Sequence, residues 1–309
     1  MARKESEREE KRREEMANEA RELVGQHLNY SAAFICSTCG IQFPPPAEIG
    51  DGAPPSSCLI CCEERQFVPR TGQVWTTQSK MKHQYRNGFQ KHEAGMYSIA
   101  TVPKFAIGQR AFLLQTSEGN LLWDCVSFLD EATIDIVNAL GGLKAIAISH
   151  PHYYSTNAQW SAAFGGIPVY IHERDKKWSV WEHERITFWR GDELHLWGGL
   201  TLLNLGGHFA GAQVLHWAGG AEGKGVLLTG DILQVSMDNA TISIMRSYPN
   251  YIPLSASHAQ RIGAKLNVWE FDRIYGAFLD REIETGAKSK VSFSLQRYIK
   301  WLNSTDLEI

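Results

Sequence analysis

The sequence has no apolar run of membrane-spanning length and no apolar signal core near its start. A helical membrane protein is therefore not expected, and the cytosol is the expected compartment. Excess charge is missing too: 31 Lys and Arg face 34 Asp and Glu, a net charge of −3. So small a charge gives no field for a nucleic-acid surface, so neither nucleic acid nor a membrane is an expected partner. Cysteine is scarce, with six in 309 residues, and four of the six fall in C-x-x-C pairs. In a reducing compartment that spacing reads as metal ligation rather than a disulfide framework. The composition is otherwise that of a soluble globular protein long enough to bury a full core.

Residues 1–28 are dominated by Glu, Arg and Lys, with Glu7–Lys11 and Glu9–Arg13 at helical i,i+4 spacing. The stretch lacks apolar heptads, so it reads as a solvated helix and not as a partner-binding coiled coil. Residues 29–72 hold Cys36-Ser37-Thr38-Cys39 and Cys58-Leu59-Ile60-Cys61, two knuckles separated by eighteen residues, Gly40 through Ser57. Each tight turn aims two thiolates at one tetrahedral ion, which is the logic of a four-cysteine zinc ribbon. That zinc is expected to be structural and independent of catalysis. A ribbon can also bind nucleic acid, or hold iron and carry electrons; the flanks here are neither basic nor aromatic enough for the first. Cys62 is left as a spare thiol. Residues 73–100 read as a linker lying on the main domain, which occupies 101–309.

In the main domain three short apolar runs end in metal-capable residues. Ala145–Ile148 leads to His150-Pro151-His152-Tyr153-Tyr154-Ser155, Leu203–Leu205 leads to Gly206-Gly207-His208, and Val226–Leu228 leads to Thr229-Gly230-Asp231. Runs this short read as buried strands. His150, His152, His208 and Asp231 are thus candidate ligands of one ion. Gly206, Gly207 and Gly211 would leave room for backbone beside it. Residues 194–205 and 212–217 read as strands, and Asn157–Phe164 and Ser292–Leu302 as helices. His172, His183 and His195 lack ligand spacing and read as structural or exposed, and His258, the only His after Asp231, could ligate but at a helix entry reads rather as a cap or surface residue.

The order His-x-His, Gly-His, Thr-Gly-Asp resembles the metallo-β-lactamase superfamily over roughly residues 100–309. The nearest likeness is to a fungal and bacterial branch with the His-Pro-His-Tyr-Tyr signature and an N-terminal cysteine pair, some fungal members of which open benzoxazolinone-type lactams. The resemblance implies an α/β fold, an αββα sandwich with the metal at one edge of its two sheets. The usual pattern, His-x-His-x-Asp-His plus a last His after the final core strand, is broken here. Tyr154 and Ser155 take the Asp and His positions, and Phe271–Tyr275 is followed by Gly276-Ala277-Phe278. Most of the second metal site is therefore missing, and one catalytic zinc is expected.

Three histidines and a carboxylate leave an open zinc position, and zinc brings the pKa of a bound water to about 7. The expected reaction is attack of that water on the carbonyl of a small cyclic amide or ester. Asp231 would ligate the ion and orient the water, and Tyr153 or Tyr154 would stabilise the oxyanion or protonate the leaving nitrogen. Trp160, Met245, Tyr248 and Tyr251 would stack a flat ring. Two alternatives stand beside this reading. One is a mononuclear non-haem iron oxygenase, whose facial triad needs only two His and a carboxylate. The other is a non-catalytic interaction module with structural metals. The oligomeric state stays open.

Overall fold

A computed structural model describes residues 30–45 and 52–304; the helix expected over residues 1–28 lies outside the described residues. Strands β1 (Ile35–Cys36) and β2 (Trp75–Thr76) pair antiparallel at the base of the cysteine segment. A seven-stranded sheet runs in chain order from β3 (Arg86–Glu93) and β4 (Met96–Val102) through β5 (Arg110–Leu114), β6 (Leu121–Trp123), β7 (Ala145–Ala147) and β8 (Val169–His172) to β9 (Ile186–Trp189). A six-stranded sheet holds β10 (Glu193–His195), β11 (Leu200–Asn204), β12 (Gln213–Trp217) and β13 (Val226–Leu228). Short strands follow: β14 (Gln234–Val235), β15 (Ile242–Ser243), β16 (Met245–Ser247) and β17 (Ile252–Pro253). The six-stranded sheet then closes with β18 (Arg273–Tyr275) and β19 (Glu282–Ile283).

Strand period two sorts the side chains into layers. Leu121, Trp123, Ala145 and Ala147 face Leu202, Leu215, Val226 and Leu228 in the core between the sheets. Their neighbours face outward. Leu122 and Ile146 pack with Val137 and Trp160, from helices Glu131–Ala139 and Asn157–Ala163. Leu203, Val214 and Leu227 pack with Ile262, Leu266, Val291 and Leu295, from helices Ala256–Leu266 and Ala287–Asn303. This is the expected αββα sandwich. Asp130 caps the first of these helices by accepting the Thr133 N–H, and Ser255 caps the third by accepting the His258 N–H, so the cap is Ser255 and His258 lies in the first turn.

Two expectations give way. Residues 86–102, which begin inside the supposed linker and run two residues past it, are the edge hairpin β3–β4 of the larger sheet. Residues 194–205 are not one strand but the hairpin β10–β11, turned at Gly198 and Gly199, both with positive φ. The cysteine segment packs on the sandwich: the Gln42 N–H donates to the Ser155 carbonyl at 2.9 Å, and Cys36, Cys39, Cys58 and Cys61 join the core that holds Tyr154 and Trp160.

Candidate metal centre

The four thiols converge and are all buried. Cys36 and Cys61 sulfurs lie 3.5 Å apart, and Cys39 and Cys58 sulfurs 3.6 Å apart. These are not disulfides, whose sulfurs sit about 2.05 Å apart. Four sulfurs held at about 2.3 Å around a tetrahedral zinc would be about 3.8 Å from one another, so the cradle fits one ion. The Gln73 amide donates to the Cys36 sulfur at 3.0 Å, and the Cys39 N–H does so at 3.5 Å. Both favour a thiolate there. Cys62 is exposed, as expected of a spare thiol.

The second cluster forms where three strands end. His150 follows β7 in extended backbone, and the chain then turns through the single 3-10 turn Pro151–Tyr153, which carries His152 back beside it. His208 lies beyond β11 and Asp231 beyond β13. One ligand atom from each of the four lies within 4.8 Å of the others. The groups are almost enclosed, with exposures of 1% for His150 and His208, 2% for His152 and 6% for Asp231. His208 Nδ1 donates to the Met245 carbonyl at 3.0 Å, which leaves Nε2 a lone pair, and that Nε2 lies 3.3 Å from His152 Nδ1. Nitrogens bound at about 2.0–2.1 Å around a tetrahedral ion are about 3.3 Å apart. His150 Nδ1 meets the Ser149 hydroxyl at 2.8 Å, and its Nε2 lies 3.6 Å from Asp231 Oδ2. His150 Nε2, His152 Nε2 and Asp231 Oδ1 are buried without a hydrogen-bond partner. Buried polar atoms are seldom left so, and the donor set suits a divalent ion.

The electrostatics agree. Burial, aided by neighbouring His150, lowers His208 to about 3 and holds His152 well below the usual imidazole range. Both stay neutral and able to ligate at pH 7. Burial works against charge on Asp231, but the adjacent imidazoles of His150 and His208 outweigh it and hold the carboxyl below its usual value. The support behind the ligands is specific. Asp124, in left-handed backbone, accepts the Ser149 N–H at 2.7 Å, and Ser149 in turn meets His150. Burial pushes Asp124 up to about 8. Gly230 must be glycine: its φ is +52°, and a Cβ there would stand 2.5 Å from the Ser149 hydroxyl.

The two tyrosines separate. The Tyr153 ring lies 4.4 Å from the His150 ring, and its buried hydroxyl has no hydrogen-bond partner. Burial and the Asp231 charge push its phenol well above the ordinary range. Tyr154 departs from the expectation that it serves the reaction, because its hydroxyl donates to the Asp175 carbonyl at 3.3 Å. Ser155 is equally committed, donating to the Cys125 carbonyl and accepting from Gln109, so neither position offers a second ligand. Trp160 is no pocket wall: it is fully buried and donates to the Val126 carbonyl. Tyr248 borders His208 at 5.8 Å and donates to the Asp231 carbonyl, while Tyr251 is 81% exposed. Gly211 makes room for the Asp175 carboxyl, not for an ion. His172, His183 and His195 bond to the Gly191 carbonyl, to Asn157 and to Thr201 respectively. Sequence reading missed Phe209, which abuts His152 and His208, and Arg65, whose guanidinium lies 4.3 Å over the Phe209 ring. The aromatic beside His208 was the available signal for the first. For the second there was none.

Comparison with known proteins bears on the same region. Residues 106–261 match the family described as the metallo-beta-lactamase superfamily. An uncharacterized protein of Bacillus subtilis (strain 168), YmaE, is 49% identical over 273 residues, which is 88% of this chain and 97% of that one. Among solved structures, TMB-1 is similar with a TM-score of 0.53 at 15% identity, over 70% of this chain and 99% of that one. The metallo-beta-lactamase FIM-1 from Pseudomonas aeruginosa, in its mono-zinc form, is similar with a TM-score of 0.52 at 12% identity, over 71% of this chain and 97% of that one. At such identities the structural likeness concerns the fold alone. The family match takes in strands of both sheets and all four groups of the histidine–aspartate centre, and so the chain belongs to the metallo-beta-lactamase superfamily.

Proposed function

We propose that this protein is a metal-dependent hydrolase that opens a small cyclic amide or ester, a lactam or lactone of the benzoxazolinone kind. The observation that carries the reading is the convergence of three imidazoles and one ionised carboxylate, with His150 Nε2, His152 Nε2 and Asp231 Oδ1 buried without hydrogen-bond partners. A divalent ion held there by His150, His152, His208 and Asp231 supplies acidification of water and polarisation of a carbonyl. The protein's own residues do the rest. Ser149 and the Met245 carbonyl fix the ring orientations of His150 and His208. Asp231, kept ionised, accepts a hydrogen bond from water and aims its lone pair. Tyr153, kept protonated, is a donor toward a leaving nitrogen or oxygen and not a base.

The near-complete enclosure of the four groups supports a second reading, in which both ions are structural. One experiment separates the two. Protein purified without added metal is analysed for zinc and iron, then assayed against a lactam and lactone panel that includes 2-benzoxazolinone, beside His208→Ala. Ring opening lost by orders of magnitude in His208→Ala, with the cysteine site still loaded, supports the hydrolase. No opening of any ring by zinc-loaded protein refutes it, and oxygen uptake by iron-loaded protein puts an oxygenase in its place.

A further inference from the structure

The knuckle spacing predicts a ribbon independent of catalysis; the contacts around residues 63–66 say otherwise. We infer that the stretch Glu63–Gln66, just beyond the last ribbon cysteine, positions His208, and that Ser247 and Asn250 are the residues through which it does so. The inference rests on the metal-centre reading of the four groups and not on the reaction.

The route is continuous. The Asn250 side-chain amide donates to the carbonyls of Glu64 and Gln66 at 2.8 and 2.9 Å. The Ser247 hydroxyl, fully buried, donates to the Arg65 carbonyl at 3.1 Å and accepts the Asn250 N–H at 3.1 Å. Arg246 Nε donates to Glu64 Oε1 at 2.6 Å. Strand β16 is thus held to the ribbon by Arg246 and Ser247 and by Asn250 just beyond it. At the other end of the same strand, the Met245 carbonyl accepts the Nδ1–H of His208. That bond sets the tautomer that turns Nε2 toward His152. A second arm runs through Arg65. Glu63 pairs with its guanidinium, which lies over Phe209, and Phe209 packs against the rings of His152 and His208. Both arms start from Glu63–Gln66 and both end on the histidine cluster. A ribbon serving only local folding would need neither.

Groups that orient a metal-bound histidine usually change metal affinity ten- to a hundredfold when removed. The test uses the full chain. Zinc affinity of the histidine site is read by competition with a chromophoric chelator, with His208→Ala identifying which binding step is which. The imidazole N–H of His208 is followed by 1H–15N NMR. Asn250→Ala removes an exposed side chain and its two bonds to the ribbon segment; Ser247→Ala removes the buried one. The expected result is histidine-site affinity at least tenfold weaker in each, with a shifted or broadened His208 Nδ1–H signal and one zinc still at the cysteines. Cys61→Ser should reproduce the loss. A folded Asn250→Ala protein with wild-type affinity and an unchanged His208 signal overturns the inference while the metal-centre reading stands. Wild-type protein that binds no ion at the histidines overturns both.

Discussion

Replacing Gly230 with Ala should damage the histidine site from a position that ligates nothing. The perturbation has two parts. An alanine at φ +52° costs about 1–2 kcal/mol in left-handed backbone, partly offset by the stiffer unfolded chain. Its Cβ would also stand 2.5 and 2.7 Å from the Ser149 hydroxyl and Cβ, separations that cannot persist. Relieving such a clash in a packed interior costs about 1–3 kcal/mol. Ser149 must shift, and with it the partner of His150 Nδ1 and the N–H that Asp124 accepts. Gly165→Ala is the control, because Gly165 has φ +85° and a Cβ there would meet nothing within 4 Å, so it carries only the backbone penalty. Denaturant melts should place Gly230→Ala about 1–3 kcal/mol below Gly165→Ala. Chelator competition should show histidine-site zinc affinity at least tenfold weaker in Gly230→Ala alone. Equal stabilities and equal affinities in the two variants would refute the role assigned to Ser149.

Three further outcomes are expected. Tyr153→Phe should cut turnover with metal retained, while Tyr154→Phe should lose only about 1 kcal/mol of stability with its bond to the Asp175 carbonyl; the reverse pattern would exchange their roles. Elemental analysis should approach two ions per chain, one per cluster, and three tightly bound ions would contradict the loss of the second site at Tyr154 and Ser155. Burial holds the folded-state Asp175 carboxyl at about 7 against an ordinary value of 3.8, so the folded state keeps a proton that the unfolded chain releases. Stability from this group is therefore greatest below about pH 4 and falls as pH rises toward 7, by at most about 4 kcal/mol. Asp175→Asn, which keeps an acceptor for the Gly211 N–H, should match wild type in denaturant midpoint near pH 4.5 and exceed it at pH 8; a pH-independent gap would reject this account.

The ligands were legible because each closes a short apolar run, and buried parallel strands such as β7 write such runs plainly. The edge hairpin β3–β4 was not: Arg86–Glu93 is bonded on one side only, half its side chains meet water, and its polar composition mimics a linker. In residues 194–205 the Gly198-Gly199 pair carried the turn signal but sat inside an apolar run that outweighed it. Trp160 looked like a pocket residue by its place after the metal loop, yet its helix turns it onto the sheet. The Met245 carbonyl and Arg65 were beyond reach, since no local pattern says which backbone oxygen or remote cation will meet a given imidazole.

The two metal clusters also differ in when they can exist. All four cysteines are in the chain once residue 61 is made, whereas the histidine site must await Asp231. At roughly 5–20 residues per second, that gap is on the order of ten seconds of synthesis. The thiols can thus bind zinc from the surrounding pool before any competing histidine ligand set is assembled in the same molecule. Cells grown with limiting zinc are then expected to yield chains filled at the cysteines and empty at the histidines, a distribution that native mass spectrometry of freshly made protein would show. Chains with the opposite filling would mean that loading follows affinity after folding and not the order of emergence.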